Sequence, residues 1–236
     1  MIDFHSHFLP AIDDGSDSIE TSLAMLRESC LQGVDLIFAT PHFYADEDDP
    51  ETFLSRRNAA YTLLKHAMAE EGGDYPQILL GAEILFFPGM SGAEELYELR
   101  MGNSPLLLIE PPMIPWTNAM LDEIDLIGGN LRCIPVIAHV DRYMRLLNDD
   151  TLFDRLEDRE FLIQVNANFF IRSETRSLAL KYLSEGRIHF IGSDCHNMVE
   201  RSPNMGPASI VISDAGLNPA QTLIYQRLYR FLKETG

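Results

Sequence analysis

Apolar runs without polar alternation recur along this chain, and segments with the spacing of amphipathic helices separate them. The runs at 106–109 and 134–138 contain no polar side chain. Strands that lack alternation are buried on both faces, as they are in parallel sheets covered by helices. Seven strand-and-helix repeats therefore predict an α/β protein with a parallel sheet, whose simplest closed form is a barrel. An open, doubly wound sheet is the alternative that this pattern leaves.

The length of 236 residues suits one enzyme-sized domain, over residues 1–236. Strands are predicted over residues 2–7, 34–40, 77–85, 106–110, 133–140, 161–167 and 188–193. Helices are predicted over residues 19–30, 50–72, 94–99, 118–127, 151–159, 174–185 and 220–233. Neither a Gly-x-Gly-x-x-Gly sequence nor a phosphate-binding P-loop sequence occurs, so a nucleotide-binding fold has no support.

The chain is strongly acidic, with 18 Lys and Arg against 36 Asp and Glu and a formal net charge of −18. Nucleic-acid partners are not expected, because a phosphate backbone requires basic patches. No apolar run approaches the roughly 18 residues of a membrane span, and no basic segment precedes the short N-terminal one. Direct membrane insertion and a signal peptide are therefore not expected. Three well-separated cysteines fit a reducing cytoplasm, where we expect the protein to act.

The first predicted strand ends in the sequence His5-Ser6-His7. Side chains two residues apart on a strand project to the same side, so two imidazoles placed this way can bind one metal ion. Further acids and imidazoles lie at or after the ends of strands: Asp14, His42, Glu83, Glu110, His139, Asp194 and His196. In a barrel these strand ends converge on one rim, where active sites are built. The sequence therefore predicts a polynuclear metal site of a hydrolase.

A single histidine near a strand end is more often structural than functional, so each candidate alone is a weak signal. The complete set is hard to explain as structure, because unpaired buried charges are costly. Two other histidines are expected to be ordinary: His66 in the middle of a helix and His189 inside the seventh strand.

Six short motifs together resemble the PHP (polymerase and histidinol phosphatase) superfamily: His5-x-His7, Thr40-Pro41-His42, Gly81-Ala82-Glu83, Ile109-Glu110, Ala138-His139 and Ser193-Asp194-x-His196. The chain more closely resembles the bacterial protein-tyrosine phosphatases of this superfamily, which accompany capsule and exopolysaccharide synthesis genes. That closer likeness comes from four segments: Phe4-His5-Ser6-His7, Asp13-Asp14-Gly15, His139-Val140-Asp141-Arg142-Tyr143 and Asp194-Cys195-His196-Asn197. The resemblance extends over residues 2–207.

The resemblance implies a distorted seven-stranded barrel, three divalent metal ions and hydrolysis of phosphotyrosine in a protein substrate. By position, the first ion would take His5, His7, Glu83 and Asp194, the second Glu83, Glu110 and His139, and the third Asp14, His42 and His196. Such ligands suit manganese, iron or zinc, and Glu110 in place of a histidine favours Mn²⁺. The implied substrate is a bacterial tyrosine kinase that controls capsular or exopolysaccharide synthesis.

Two arginines are candidates for binding the phosphate. Arg142 and Arg201 follow the fifth and seventh strands and could donate paired hydrogen bonds to phosphate oxygens, although surface ion pairs would explain them as well. Four aromatic side chains near the same rim could flank an aromatic substrate or could simply pack loops: Phe86, Phe87, Trp116 and Tyr143.

The segment from Cys195 to Arg201 also fits the C-x5-R spacing of cysteine-dependent tyrosine phosphatases. It contains no glycine to let the backbone close around an anion, and Glu200 would repel one, so we expect the match to be accidental.

Two alternative functions stay open. One is a small-molecule phosphatase of the same superfamily, such as one for histidinol phosphate. The other is a catalytically silent metal-binding module of polysaccharide assembly.

Overall fold

The structure is a computed structural model, and it describes residues 1–147 and 149–218. Within them the strands are β1 Ile2–Asp3, β2 Leu36–Ala39, β3 His42–Phe43, β4 Gln77–Leu80, β5 Glu83–Leu85, β6 Leu106–Glu110, β7 Ile134–Ile137, β8 Leu162–Asn166 and β9 Phe190–Gly192. The α-helices are α1 Ile19–Leu31, α2 Pro50–Glu71, α3 Asn118–Leu131, α4 Val140–Leu147, α5 Leu152–Leu156, α6 Asn168–Ile171, α7 Arg176–Ser184 and α8 Met205–Asp214. Two short 3₁₀ helices cover Met90–Gly92 and Glu94–Leu99. The predicted helix over 220–233 lies outside the described residues.

All strand pairs in the two sheets are parallel. One sheet has the order β1-β2-β4 and the other the order β3-β5-β6-β7-β8-β9. The strands follow chain order, without the reversal that a doubly wound sheet requires. The predicted α/β class with a parallel sheet is confirmed.

The prediction of an uninterrupted strand over 77–85 is wrong, because this segment is divided into β4 and β5. The strand predicted over 34–40 corresponds to the shorter β2, and β3 follows it as a separate short strand. Pro41 separates β2 from β3, since proline has no backbone N–H to donate to a sheet. Opposite this break, β4 ends before Gly81, and pairing resumes where the N–H of Glu83 donates to the carbonyl of Pro41 at 3.0 Å. The paired interruptions are the reason why the chain forms two hydrogen-bonded sheets.

The predicted first strand over 2–7 is also shorter, because regular pairing ends at Asp3. Beyond it the chain makes single bonds to the segment that follows β9. The N–H of Asp194 donates to the carbonyl of His5 at 2.8 Å, and the N–H of His7 donates to the carbonyl of Cys195 at 2.9 Å. The first and last strand segments therefore lie side by side.

Several helices differ from the prediction. The strand predicted to run through Val140 ends at Ile137, because His139 has a positive φ of 33° that turns the chain into α4. The helices α4, α6 and α8 were not predicted, and α6 has only 4 residues. The segment Glu94–Leu99 is a 3₁₀ helix instead of an α-helix. No helix in the described ranges is long and apolar enough to cross a bilayer.

Apart from β4, which is half-buried, the strands are largely buried on both faces, as their uninterrupted apolar runs predict. Leu106 and Leu108 of β6 belong to one apolar cluster, together with Phe4 and Phe190, whose rings lie 4.2 Å apart. The alternate position Leu107 belongs to the larger cluster beneath the helices. Side chains in a strand alternate between faces, and β2, β6, β7 and β9 accordingly contribute to both clusters. This double packing fixes the strand ends that carry the candidate site.

Candidate metal centre

The structure brings together all nine side chains that the sequence predicts as metal ligands. Most lie at or beyond the carboxyl ends of parallel strands, whereas His42 and Glu83 begin β3 and β5, just beyond β2 and β4. Neighbouring members approach within 4 Å of one another. His42 and Glu83 are direct partners in the pairing of β3 with β5. Most of the set is buried, whereas Asp14 is exposed at the mouth. We call this set the metal-ligand cluster: His5, His7, Asp14, His42, Glu83, Glu110, His139, Asp194 and His196.

Glu83 lies at the centre of the metal-ligand cluster and is fully buried. Its Oε2 is 3.0 Å from Nε2 of His5, 3.2 Å from Nε2 of His7 and 3.2 Å from Nδ1 of His42. Its Oε1 is 2.9 Å from Nε2 of His139. One carboxylate therefore reaches four imidazoles, the position that a ligand shared between ions requires.

Three overlapping groups have donor atoms close enough to hold one ion each: His7, Asp14, His42 and His196; His5, His7 and Glu83; and His42, Glu83 and Glu110. The first contains the trio predicted for the third ion, with His7 added. The third group differs from the set predicted for the second ion, which was Glu83, Glu110 and His139. In the structure His42 takes the place of His139 in that group. Nε2 of His139 is nevertheless 3.5 Å from Oε1 of Glu110. Asp194 lies at the edge, 3.8 Å from both His5 and His7.

The donor atoms of the metal-ligand cluster fit a divalent cation. Oε2 of Glu83, Nδ1 of His42 and Nε2 of His196 are buried and have no hydrogen-bond partner within the described residues. Buried polar atoms left without a partner are costly, and a bound cation would satisfy them. Imidazole nitrogens and carboxylate oxygens without thiolates suit manganese, iron or zinc.

The electrostatics of the cluster also favour a cation. Burial disfavours the charged form of His7, but Asp13 and Glu83 outweigh it and raise the pKa of His7 to about 10. Glu83 and Glu110 likewise raise the pKa of His139 to about 10 against the effect of burial. His196 behaves oppositely, because burial and the nearby His7 lower its pKa to about 3. Metal binding requires neutral imidazoles, and bound ions would replace the protons that these carboxylates attract.

Two residues that sequence reasoning missed hold the ligands in place. Oδ2 of Asp13 lies 2.8 Å from Nδ1 of His7 and accepts a hydrogen bond from the N–H of His42 at 3.0 Å. Oε1 of Gln164 accepts from the N–H of His139 at 2.6 Å and lies 3.2 Å from Nδ1 of His5. Such partners fix the orientation of a metal-binding imidazole. Gln164 had a visible signal, since it is a polar residue within an apolar strand.

Asp194 is also held from outside the cluster. Nδ2 of Asn166 donates to its Oδ2 at 2.9 Å, and Nη2 of Arg201 donates to its Oδ1 at 2.6 Å. The backbone φ of Asp194 is 53°, and that of His139 is 33°. Non-glycine residues rarely adopt this left-handed region, and such strain concentrates at functional sites. Two predicted ligands are therefore kept in a costly backbone conformation.

Of the two predicted phosphate-binding arginines, Arg201 is committed to Asp194 and Arg142 is half-buried at the start of α4. Both line one groove beside the metal-ligand cluster. The structure thus places both arginines next to the cluster, and it ties one of them to a predicted ligand.

Of the four predicted aromatic side chains, Phe86 and Phe87 are half-buried and pack against the larger apolar cluster, and the other two are buried. Trp116 and Tyr143 are buried and pack on each other with ring centroids 4.9 Å apart, and the hydroxyl of Tyr143 donates to the carbonyl of Pro111. These two pack loops and present no ring to a substrate. Tyr44, which the sequence did not single out, is half-buried and stacks on His42 at 5.4 Å.

The segment from Cys195 to Arg201, which fits the C-x5-R spacing, has no reactive thiol. Cys195 is fully buried, and burial raises the pKa of its thiol far above the usual range. A nucleophilic cysteine needs a lowered pKa and access to the substrate. The expectation that this match is accidental agrees with the geometry.

A parallel α/β fold that gathers buried imidazoles and carboxylates at its strand ends defines a class of protein with a candidate polynuclear metal centre. Within that class, this chain belongs to the CpsB/CapC family of capsular polysaccharide synthesis, whose model matches residues 1–232. The predicted resemblance to capsule-associated tyrosine phosphatases is confirmed.

Individual relatives agree with this assignment. The tyrosine-protein phosphatase CpsB of Streptococcus agalactiae is 28% identical over 247 residues, covering 99% of this chain and 98% of that protein. The CpsB phosphatase of Streptococcus pneumoniae is 30% identical over 231 residues, covering 90% of each chain. Crystal structures of YwqE from Bacillus subtilis and CpsB from S. pneumoniae are described as metal-dependent tyrosine phosphatases. A chain from these structures superposes on this protein with a TM-score of 0.77 at 25% identity, covering 91% of this chain and 87% of that chain.

Proposed function

We propose that this protein is a metal-dependent protein-tyrosine phosphatase. The observation that carries the proposal is the position of Glu83, whose carboxylate reaches four imidazoles in a cluster of nine metal-type side chains. The tyrosine phosphatase activity named for its relatives supports the substrate class. The absence of a reactive thiol at Cys195 favours metal-assisted hydrolysis over a cysteine mechanism.

We propose that the metal-ligand cluster holds three divalent ions, with Mn²⁺ the preferred metal. When bound, such ions lower the pKa of a coordinated water and neutralise phosphate oxygens. Glu83 is the proposed shared ligand, Asp13 and Gln164 orient the imidazoles, and Asn166 orients Asp194. The ligand side chains repel one another when they are crowded together, and these surrounding hydrogen bonds keep them in place.

The substrate phosphate would be bound by arginine side chains. Arg142 is half-buried and has no carboxylate within ion-pair distance in the described ranges, so its guanidinium can donate two parallel hydrogen bonds to phosphate. Arg201 shares its charge with Asp194 and would contribute less. Tyr44 presents a half-buried ring beside His42, where it could contact the aromatic ring of phosphotyrosine.

Exposed apolar side chains favour a peptide over a small molecule. Met113 and Ile114 are exposed in the loop after β6, and Met198 and Val199 are exposed in the loop after β9. Exposed apolar groups around a site are typical of protein-binding surfaces. We further propose that the substrate is a bacterial tyrosine kinase controlling capsular or exopolysaccharide synthesis, in line with the family of this chain. The free thiols of Cys30, Cys133 and Cys195 support a cytoplasmic location.

We also propose that the two sheets are parts of one distorted seven-stranded barrel in a single domain over residues 1–236. β2 leads directly into β3 and β4 into β5, so each pair counts as one interrupted strand. The N–H of Phe4 donates to the carbonyl of Ile191 at 3.2 Å, which supports closure between the first and last strands.

The experiment that tests the function compares two substrates on the same metal-reconstituted protein. A phosphotyrosine peptide should have a higher kcat/KM than histidinol phosphate. A higher value for histidinol phosphate would favour the small-molecule phosphatase. Bound metal without hydrolysis of either substrate would favour the silent metal-binding module.

A further inference from the structure

A groove of about 480 Å³ lies beside the metal-ligand cluster, between α4, α6 and the loop that follows β9. Four arginines line it, and we call it the arginine groove: Arg142, Arg145, Arg172 and Arg201. Arg145 belongs to α4, whereas Arg172 directly follows α6. Neither of these two has a role in the site described above, and both are exposed.

The arginine groove is unusual in a protein with a formal net charge of −18. Five arginines elsewhere in the described ranges pair with carboxylates, as Arg56 does with Asp48 at 2.5 Å and Arg155 with Asp149 at 2.9 Å. Within residues 1–147 and 149–218, no carboxylate lies within 4.0 Å of the guanidinium of Arg142, Arg145 or Arg172. Cations without a carboxylate partner, two of them exposed and Arg142 half-buried, are available to an external anion.

The acids that line the arginine groove do not cancel this charge. Asp194 is paired with Arg201, and Oδ1 of Asp141 accepts a hydrogen bond from the N–H of Asn166 at 2.8 Å. Glu200 is exposed on the loop after β9, and among the described contacts none involves its carboxylate. Once Asp194 and Arg201 are set aside as a pair, three arginines face the two carboxylates of Asp141 and Glu200, so the lining keeps a small excess of positive charge.

The opposite side of the metal-ligand cluster has the reverse charge. A second pocket there is lined by Asp13, Asp14, Glu47 and Asp48, and it also contains His42 and Tyr44. Its one arginine, Arg56, is paired with Asp48, so acids remain in excess within the described lining. Asp194 joins the cluster to the arginine groove, whereas Asp14 and His42 join the cluster to this acidic pocket. A peptide crossing the site would meet arginines on one side and carboxylates on the other.

We propose that the arginine groove is a specificity subsite for acidic residues that flank the phosphotyrosine on one side. Arg145 and Arg172 bind the side-chain carboxylates of those residues, while Arg142 faces the phosphate. The acidic pocket disfavours acidic residues on the other flank, because like charges repel. This inference rests on the proposed phosphatase function and adds the charge pattern of its peptide substrate.

The effect expected from each exposed arginine is modest. An exposed arginine and carboxylate interact weakly, which corresponds to about a two- to fivefold change in kcat/KM for each pair. The interaction should also weaken as salt rises, since the Debye length falls from about 10 Å at 0.1 M to about 3 Å at 1 M. Preference for acidic flanks is therefore a sum of small, screened contributions.

The test uses the metal-reconstituted full chain and three phosphotyrosine peptides of equal length. One has neutral flanks, one has acidic residues only on the N-terminal side, and one has them only on the C-terminal side. We expect one acidic peptide to exceed the neutral peptide in kcat/KM by about two- to tenfold at low salt, and the gain to shrink at high salt. Equal kcat/KM for all three peptides would overturn the inference while leaving the phosphatase function intact.

Variants then assign the preference to the groove. Arg145→Ala and Arg172→Ala should each reduce the ratio of acidic to neutral kcat/KM, and the double variant should abolish the gain. Lys65→Ala, which removes one exposed positive charge on α2, should keep the ratio of the unmodified protein. A gain that survives in the double variant would overturn the inference. Failure to hydrolyse any of the peptides would instead overturn the proposed function.

Discussion

Oδ2 of Asp13 lies 2.8 Å from Nδ1 of His7 and 3.0 Å from the backbone nitrogen of His42. One carboxylate therefore positions an imidazole on each of two different strand segments. Asp13 also accepts a hydrogen bond from the N–H of Gly15 at 3.0 Å, which closes the loop against His7. These contacts make Asp13 a positioning residue for the metal-ligand cluster.

Asp13→Asn should weaken metal binding by roughly ten- to a hundredfold, because the partner that orients His7 and strengthens it as a ligand is lost. Metal titration of the depleted protein measures the change directly. Asp17→Asn is the matched control, since Asp17 is exposed and, among the described residues, accepts only from the hydroxyl of Thr21 at 2.8 Å. Equal metal affinity for both variants would show that Asp13 does not position a ligand.

Gly192 leaves no space for a side chain beneath His5. A Cβ added there would lie 2.5 Å from Cβ of His5 and 2.9 Å from its backbone nitrogen. Gly192→Ala should therefore displace His5 and lower both the melting temperature and the amount of bound metal. Gly129→Ala is the control, because its Cβ would meet no atom within 4 Å and alanine favours the helix α3 by about 1 kcal/mol. Full metal content in Gly192→Ala would contradict the tight packing of His5.

Arg142→Ala should lower kcat/KM for a phosphotyrosine peptide by about ten- to a hundredfold, the usual loss for one charge-assisted hydrogen bond to an anion. Its metal content should not change, since Arg142 contacts none of the predicted ligands through its side chain. Arg142→Lys should restore only part of the activity, because lysine cannot donate a bidentate pair. Elemental analysis and kinetics on the same preparation check both points. Loss of metal together with activity would show that Arg142 supports the cluster instead of the phosphate.

His189 should make stability fall at mildly acidic pH. Burial lowers its pKa to about 4, so the folded protein resists a proton that the unfolded chain takes up below about 6.5. Its contribution to stability is therefore present above pH 6.5 and lost as the pH falls toward 4, by at most about 1.4 kcal/mol per pH unit. His189→Gln should flatten the decline in the free energy of unfolding over this range, as measured by urea denaturation. An unchanged pH dependence would mean that His189 is protonated in the folded state.

The sequence allowed the parallel strands to be predicted because burial on both faces leaves uninterrupted apolar runs, as at 106–109. It also allowed the nine candidate ligands to be predicted, because each lies at or near a strand end. The break at Pro41 was visible as a residue, but its effect depends on the neighbouring strand ending before Gly81. The start of α4 depends on the positive φ of His139, which no periodicity reveals.

The positioning residues were harder to predict than the ligands. Asp13 and Gln164 act through hydrogen bonds to chain segments that are distant in sequence, such as that of Gln164 to His139. Which acid or amide reaches which imidazole is decided by the packing of loops, and loop packing leaves no regular spacing. Loop packing also buries Trp116 and Tyr143, which the sequence offered as rings that could flank a substrate.

The central claim is that phosphotyrosine hydrolysis depends on metal bound around Glu83. The most direct measurement is phosphate release from a phosphotyrosine peptide before chelation, after chelation and after addition of Mn²⁺, for the unmodified chain, Glu83→Gln and Cys195→Ser. Chelation should abolish release and Mn²⁺ should restore it in the unmodified chain and in Cys195→Ser. Glu83→Gln should stay inactive and bind fewer metal ions by more than one equivalent, because Glu83 is shared between ions. Undiminished release after complete metal removal, or an inactive Cys195→Ser with full metal content, would contradict the account.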